Sequence, residues 1–382
     1  MISRRGFLKR AGIAIASGST FALAGRISTH AGQSEVQPKP TEAELRAIAD
    51  VAKGFMEKHR VPGLSVAIAR HGQFVYEDGF GYADETAGQR VTPAHLFRIA
   101  SVTKPITSVA LFTLIEQGRL SLEDRVFGAG GVLGFDYGRS YPERVGKITI
   151  HQLLTHTGGG WANDGNDPMF RNAKMDHKEL ISWTVQNQPL KNEPGEHYAY
   201  SNFGYCVLGR VIEKVSGRPY DLFVQQVVLK PCGVSDMQVA GNTLAQRAAK
   251  EVVYYGRNES PYGMNVRRMD SHGGWIGTAR DLVQFAMQAG GCRTVPNLLR
   301  AETIKTMRTA SAANRNYACG WCVNRVPNYW HDGSLPGTTS IMVQTASGLC
   351  WAALANARGQ GTGLALDQMM WGIAKAVPEW QA

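Results

Sequence analysis

The sequence predicts an α/β fold of the α+β type. One antiparallel sheet is formed from N- and C-terminal strands and flanked by helices, with a mostly helical subdomain inserted between the two sets of strands. Three observations carry this. Strand patterns occur early, at 64–69 and 73–77, and return late, at 317–326, 339–346 and 349–356. Between them, roughly from 120 to 300, helical patches alternate with Gly-, Pro- and Asn-rich loops. No internal repeat divides the 382 residues, a length that suffices for one large domain or two subdomains with a real core.

The first residues form a leader rather than part of the fold. Ser3-Arg4-Arg5-Gly6-Phe7-Leu8-Lys9 matches the twin-arginine export pattern, a weakly apolar Gly/Ala-rich stretch runs from Ala11 to Ala24, and Ala22-Leu23-Ala24 is a small-x-small cleavage signal. The expectation is a signal peptide over 1–24, a polar linker over 25–40, and a periplasmic or secreted domain over 41–382.

Thr41 and Glu44 have the spacing of a capping box, and Leu45, Ile48, Ala49, Ala52 and Phe55/Met56 recur at helical spacing, so 42–59 is an amphipathic helix. Pro62-Gly63 ends it. The two early strands flank His71-Gly72 as a hairpin. Phe97-Arg98-Ile99-Ala100 leads into a helix that Ser101 opens and that stops near Gly118. Further helices are expected at 178–187, 204–216, 219–228 and 279–288, the last capped by Thr278 with Asp281 three residues on, and a final helix at 363–377.

Hydrophobic content of 43% and charge of 19% describe a globular chain. Cleavage after Ala24 would remove four basic residues and no acid, taking the formal charge from +10 to +6. With no dense Lys/Arg run and no basic stripe interleaved with aromatics, nucleic acid is not an expected partner. No segment after the leader has the uninterrupted apolar length of a membrane helix, so no stable membrane insertion is expected once it is removed. Six cysteines allow 15 pairings. Cys319-Gly320-Trp321-Cys322 has redox spacing but falls in the 317–326 strand pattern, where the two side chains would point to opposite faces; buried thiols or a structural bridge are favoured over a redox centre. His151 and His156 have no carboxylate or cysteine at ligand spacing, so no metal and no cofactor is expected.

Three clusters carry chemistry. Ser101-Val102-Thr103-Lys104 places a lysine one helical turn from a serine, on the same face, so that an amine whose pKa is lowered by burial can take the hydroxyl proton. Tyr200 and Asn202, two apart, can face one cleft from an extended segment; a phenol beside an ammonium shifts toward phenolate and can serve as a base, while the amide orients lysine and substrate. In His331-Asp332-Gly333-Ser334, Gly333 would let substrate lie against a strand, backbone N–H groups at Ser101 and Ser334 could form an oxyanion hole, and His331 could bind a substrate carboxylate or hold the proton network. Each cluster has a plainer reading: a helix start with an exposed lysine, an aromatic turn with Asn202 as helix cap, and a Gly/Pro loop with a surface histidine.

Taken together and in this order, the three clusters resemble the active-site elements of the serine β-lactamase-like superfamily, which includes class C β-lactamases, D-alanyl-D-alanine carboxypeptidases, D-amino-acid amidopeptidases and a family of carboxylesterases. Supporting segments are also similar, among them Ile150–Gly159, Pro194-Gly195, Gly273-Gly274-Trp275 and Tyr317-x-x-Gly320-Trp321, and the resemblance covers roughly 42–375. It implies a β-lactamase/transpeptidase-like fold. Ser101 becomes the acylated nucleophile, Lys104 and Tyr200 share the proton work, Asn202 positions groups, the Ser101 and Ser334 backbones hold the oxyanion, and His156 is a scaffold residue. The third motif begins with His331 where class C β-lactamases have lysine, so ester or D-amino-acid amide or peptide cleavage is expected ahead of β-lactam hydrolysis. Two other classes stand beside this one: a non-catalytic envelope protein that binds peptidoglycan fragments, and a thiol oxidoreductase built on Cys319 and Cys322. Pocket shape is expected to depend on loops near 160–176 and 255–272, and Trp161, Trp275, Trp321 and Trp330 are candidate pocket walls that also suit core packing.

Overall fold

The computed structural model describes residues 37–292 and 294–381. The signal peptide expected at 1–24 and most of the linker expected at 25–40 lie outside these residues. In chain order the early elements are α1 (Glu42–His59), β1 (Gly63–Arg70), β2 (Gln73–Asp84), β3 (Gln89–Arg90), β4 (Phe97–Arg98) and α2 (Thr103–Glu116). The middle holds α3 (Ile150–Leu154), α4 (Pro168–Arg171), α5 (His177–Asn187), α6 (Asn202–Ser216), α7 (Tyr220–Val224), β5 (Gln238–Val239), β6 (Trp275–Gly277), α8 (Ala279–Ala289) and α9 (Ala301–Met307). The chain closes with β7 (Cys322–Val323), β8 (Tyr329–Leu335), β9 (Thr338–Gln344), β10 (Leu349–Ala355) and α10 (Thr362–Lys375).

The main sheet has seven strands in the order β3-β2-β1-β10-β9-β8-β7, antiparallel throughout. Its seam joins the two ends of the sequence, with Leu64 opposite Ala355 and Ala69 opposite Cys350. Strand periodicity explains the two cores. Leu64, Val66 and Ile68 of β1, with Trp351, Ala353 and Ala355 of β10, face α1 and α10 and pack with Ile48, Phe55, Met370 and Ile373. The alternate residues Ala67, Ala69, Ala352 and Leu354 face the other side, where α8 contributes Leu282, Val283 and Ala286. The small alanines there let α8 seat close to the sheet. Full burial of each Leu or Ile contributes about 1.5–3 kcal/mol relative to exposure.

Local signals explain the termini. Thr41–Glu44 and Thr278–Asp281 form complete capping boxes, and so do Thr149–Gln152 and Asp176–Glu179. His71 (φ 45°) and Gly72 (φ 83°) both take left-handed conformations, as a two-residue hairpin turn requires. The expected helix at 219–228 is α-helical only to Val224 and continues as one π turn over Gln225–Leu229.

The expected strand over 317–326 reduces to Cys322–Val323. Gly320 (φ 81°) turns the chain, so Tyr317 bridges to Cys322 as the two arms of a tight loop. Its Cβ position lies 2.9 Å from Ser108 Cβ and 3.1 Å from the Lys104 carbonyl oxygen, so a side chain there would collide with α2. All six cysteines are free thiols. Burial pushes the Cys319 thiol up to about 12, which removes the thiolate a redox centre needs.

Helix α2 is apolar on every side and buried from Thr103 to Leu114 between the sheet layer and the helical region, so it is the internal post of the molecule. Lys104 is the one charged residue in that buried run. A second, three-stranded sheet in the order β4-β6-β5 carries the chain into α2. Among the described residues no helix is long and apolar enough to cross a membrane.

Candidate active site

Ser101 does not open the α-helix itself. It sits in a 3-10 turn, Ala100–Val102, placed ahead of α2. Ala100 is left-handed (φ 47°), a conformation that costs a residue with a Cβ about 1–2 kcal/mol. The surroundings hold it there. The Ile99 N–H donates to the Trp275 carbonyl (3.0 Å), Ser340 Oγ donates to the Ile99 carbonyl (2.7 Å), and Thr338 Oγ1 donates to the Arg98 carbonyl (3.0 Å).

Gly333 of β8 makes this seating possible. A Cβ there would lie 2.4 Å from the Ile99 carbonyl oxygen and 3.0 Å from Ala100 Cβ. The sequence read this glycine as room for substrate; it is room for the protein's own turn, whose backbone presses against the strand. Because β7 pairs only with Tyr329 and Trp330, β8 from His331 to Leu335 has β9 on one side and, among the described residues, no strand on the other. The turn bearing Ser101 packs on the face of β8 and β9 at Gly333 and Ser340, and the exposed Ser334 lines the cleft beside it.

Lys104 is fully buried. Its Nζ lies 3.1 Å from Ser101 Oγ, 2.8 Å from Asn202 Oδ1 and 3.0 Å from the His272 carbonyl oxygen. Burial brings its pKa down to about 7, against the opposing pull of Asp167 and Asp332. An ordinary lysine is neutral at pH 7 in roughly one molecule in a few thousand; burial makes the neutral amine far more accessible here. The three partners then fix where the lone pair points. Asn202 Oδ1 and the His272 carbonyl can only accept, so they take the two N–H bonds of the neutral amine. The lone pair is left for the partner that can donate, the Ser101 hydroxyl.

Tyr200 also hydrogen-bonds Ser101, and its ring centroid is 4.7 Å from Lys104 Nζ and 4.2 Å from the His156 ring. The sequence suggested a phenolate here. Burial instead raises the phenol well above its ordinary value, so near neutrality it is a donor and the lysine is the group that titrates. Asn202 is the first residue of α6; Ser201, not Asn202, caps that helix, accepting from the Gly204 N–H at 2.9 Å. Asn202 Nδ2 donates to Asp167 Oδ2 at 2.9 Å. Asp167, which the sequence reading missed, is 1% exposed and caps α4 by accepting from the Met169 N–H at 2.8 Å. Asp-Pro at a helix start was the available signal.

His331 is brought to the cluster but not to the cleft. It is 2% exposed and is not part of the cleft wall, so it is not placed to hold a substrate carboxylate. Its Nε2 lies 3.1 Å from the Tyr317 hydroxyl, which is 3.1 Å from His156 Nε2, and His156 Nδ1 accepts the Ser201 N–H at 3.0 Å. Burial pushes His331 down to about 4 and His156 well below its ordinary value, so both are neutral. The donors follow in order. His156 Nε2–H donates to Tyr317, Tyr317 O–H to His331 Nε2, and His331 Nδ1–H to the Asp332 carbonyl (2.6 Å).

The cleft over Ser101 has a volume of about 260 Å³. Asn202 and His272 form its floor, Phe170, Leu335 and Pro336 its apolar wall, and Asn163, Ser334 and Arg358 its rim. The 160–176 and 255–272 loops thus contribute Asn163, Phe170 and His272. None of the four candidate tryptophans lines it; Trp161, Trp275 and Trp321 are core residues. Arg358 is the one charged side chain in the wall, and Glu259 holds it, Oε1 accepting from Nε at 2.6 Å and Oε2 from Nη2.

A serine turn seated on the face of the sheet at the head of a helix that buries a lysine defines a class of protein. The chain belongs to the Beta-lactamase family, whose model matches residues 48–370. Penicillin-binding protein 4* of Bacillus subtilis (strain 168) is 26% identical over 313 residues, 75% of this chain and 66% of that one. Esterase EstB of Burkholderia gladioli is 31% identical over 253 residues, 60% of each. The matched regions therefore span about two thirds or less of these relatives. Among solved structures, D-amino acid amidase from Ochrobactrum anthropi SV3, complexed with L-phenylalanine amide, superposes with a TM-score of 0.71 at 21% identity over 87% of this chain and 99% of that one, a likeness of fold.

Proposed function

We propose that this chain is a serine hydrolase that cleaves small carboxylic esters or amides through an acyl-enzyme on Ser101. The observation that carries it is the Lys104 environment, whose two acceptor-only neighbours leave the amine's lone pair to Ser101 Oγ 3.1 Å away. Lys104 takes the hydroxyl proton as Oγ attacks the carbonyl carbon. The N–H groups of Ser101 and Ser334 receive the oxyanion. The Tyr200 phenol passes its proton to the leaving oxygen or nitrogen and regains one from the Lys104 ammonium. Water repeats the sequence on the acyl-enzyme and releases the acid.

Substrate charge follows from the wall. His331 is neutral and turned inward, and Arg358 is held by Glu259, so no free cation meets a carboxylate beside Ser101. The cleft of about 260 Å³ over Ser101 continues at Ser334 and Arg358 into a second depression lined by Arg257, Glu259 and Gln360. The reading therefore places neutral esters first, D-amino-acid amides and peptides next, and β-lactams last. The similarity to an esterase and to a D-amino acid amidase supports the first two.

The test is intact-protein mass spectrometry with p-nitrophenyl butyrate, D-phenylalanine amide and benzylpenicillin in parallel, with Ser101→Ala as control. A transient butyryl adduct on Ser101 with release of nitrophenol is expected, together with loss of both in the variant. Turnover that survives Ser101→Ala overturns the proposal. Rapid destruction of benzylpenicillin overturns the ordering of substrates.

A further inference from the structure

Asn202 presents its carbonyl to Lys104 and its NH2 to Asp167, at 2.8 and 2.9 Å. Rotating the amide by half a turn would aim an NH2 group at the lysine and an oxygen at the carboxylate. Asp167 decides between the two. As a carboxylate it has acceptors only, and both oxygens are used, Oδ2 by Asn202 and Oδ1 by the Met169 N–H. The residue is 1% exposed, so these two bonds hold it within the protein. A neutral, protonated Asp167 could donate to the amide oxygen instead. The rotated amide would then point N–H groups at the lone pair that Ser101 needs.

We propose that Asp167 is a positioning residue for the reaction: its carboxylate locks the Asn202 amide in the orientation that aims the Lys104 lone pair at Ser101, so the site requires two deprotonations rather than one. This rests on the acyl-enzyme reading above. The charged and titratable groups around the pair are few. Lys104 faces Asp167 from α2, Asp164 lies on the same loop, and Arg268 approaches from the turn after Val266 with its guanidinium on the carbonyls of Met169, Asn172 and Met175. Asp332, His331, His156 and His272 surround Lys104, the three imidazoles being held neutral by burial. Burial raises Asp167 to about 6, while its hydrogen bonds from Asn202 and Met169 and the charge of Lys104 pull it back. Its proton loss therefore falls in the range just below that of the lysine.

The experiment measures the rate at which a fluorophosphonate labels Ser101, from pH 5 to 9, by intact mass. In that step Oγ forms the bond to phosphorus, fluoride leaves, and Lys104 takes the hydroxyl proton. With two deprotonations required, the wild-type rate is expected to fall by about a hundredfold per pH unit at the acid end of the range, rather than tenfold. Asp167→Asn is expected to return the slope to about tenfold, to move the limb to lower pH because Lys104 loses a counter-charge, and to lower the plateau by roughly tenfold or more. A wild-type slope of tenfold, with circular dichroism showing a folded protein at each pH, overturns the proposal. So does a folded Asp167→Asn variant whose slope and limb match the wild type. The wild-type slope decides the matter alone if the variant does not fold. Absence of labelling at every pH is a different result, which takes the acyl-enzyme reading down with it.

Discussion

Two buried hydrogen-bond chains meet at Ser101 and Tyr200, and they behave in opposite ways. One runs Lys104–Asn202–Asp167, the other His156–Tyr317–His331. Both are buried, although Asn202 reaches the floor of the cleft. In the first, burial of the ammonium is opposed by Asp167 and Asp332, and the balance leaves Lys104 near 7. In the second, neither imidazole has a carboxylate hydrogen-bonded to it, and burial drives both to the neutral form, with His331 at about 4. Asp332 opposes burial at His331 as it does at Lys104, so the contrast lies in the starting point: an ammonium lowered from its high ordinary value arrives near neutrality, whereas an imidazole lowered by burial is left uncharged.

Breaking the charged chain should have the largest effect. Lys104→Ala is expected to reduce the rate of Ser101 acylation by at least about 10³-fold with the protein still folded, since groups that act as a unit fail together. Retention of more than a tenth of the rate, by stopped-flow with p-nitrophenyl butyrate, would show that another base serves Ser101. Disturbing the seat that both chains share comes next. Gly333→Ala forces the Ile99–Ala100 turn off β8 and is expected to cost about 1–3 kcal/mol by urea unfolding, with a parallel loss of acylation. Unchanged stability would mean that the turn and strand adjust without strain. The smallest catalytic effect belongs to the neutral chain. Tyr317→Phe strands one nitrogen on each histidine and should cost about 1–3 kcal/mol of stability while leaving the acid limb of the pH–rate profile in place. A shifted limb would assign proton traffic to the histidines and erase the contrast.

The parts of the site that follow from short-range spacing were legible in the sequence. Ser101 and Lys104 are one turn apart, and Tyr200 and Asn202 are two residues apart just ahead of a helix. What escaped was set by contacts distant along the chain. Asp167 stands among other polar residues in a loop; the Asp-Pro step marks it as a helix start, but its tie to the site is its approach to Asn202, 35 positions away. The third partner of Lys104 is a backbone carbonyl, which leaves no side-chain signature at all. His331 could be read as a cleft residue because its inward turn depends on Tyr317, and Tyr317 is delivered by the Gly320 loop, which the sequence presented as a continuous strand. The strands at 64–69, 339–346 and 349–356 were recognised because their alternation faces two cores, and short β7 was overextended because its burial is shared with a loop.

The seam between β1 and β10 also governs how the molecule is made. Leu64 pairs with Ala355, so the central ladder joins residues almost three hundred positions apart. Closing so long a loop delays the sheet until nearly all of the described chain has been synthesised, and it places this protein among slow folders of high contact order. The turn that bears Ser101 waits with it. Ala100 is held left-handed by Ser340 and seated against Gly333, so a nascent chain ending before β9 carries Ser101 and Lys104 without the scaffold that aligns them. The alignment of Ser101 with Lys104 thus arises late in synthesis, as the last strands dock.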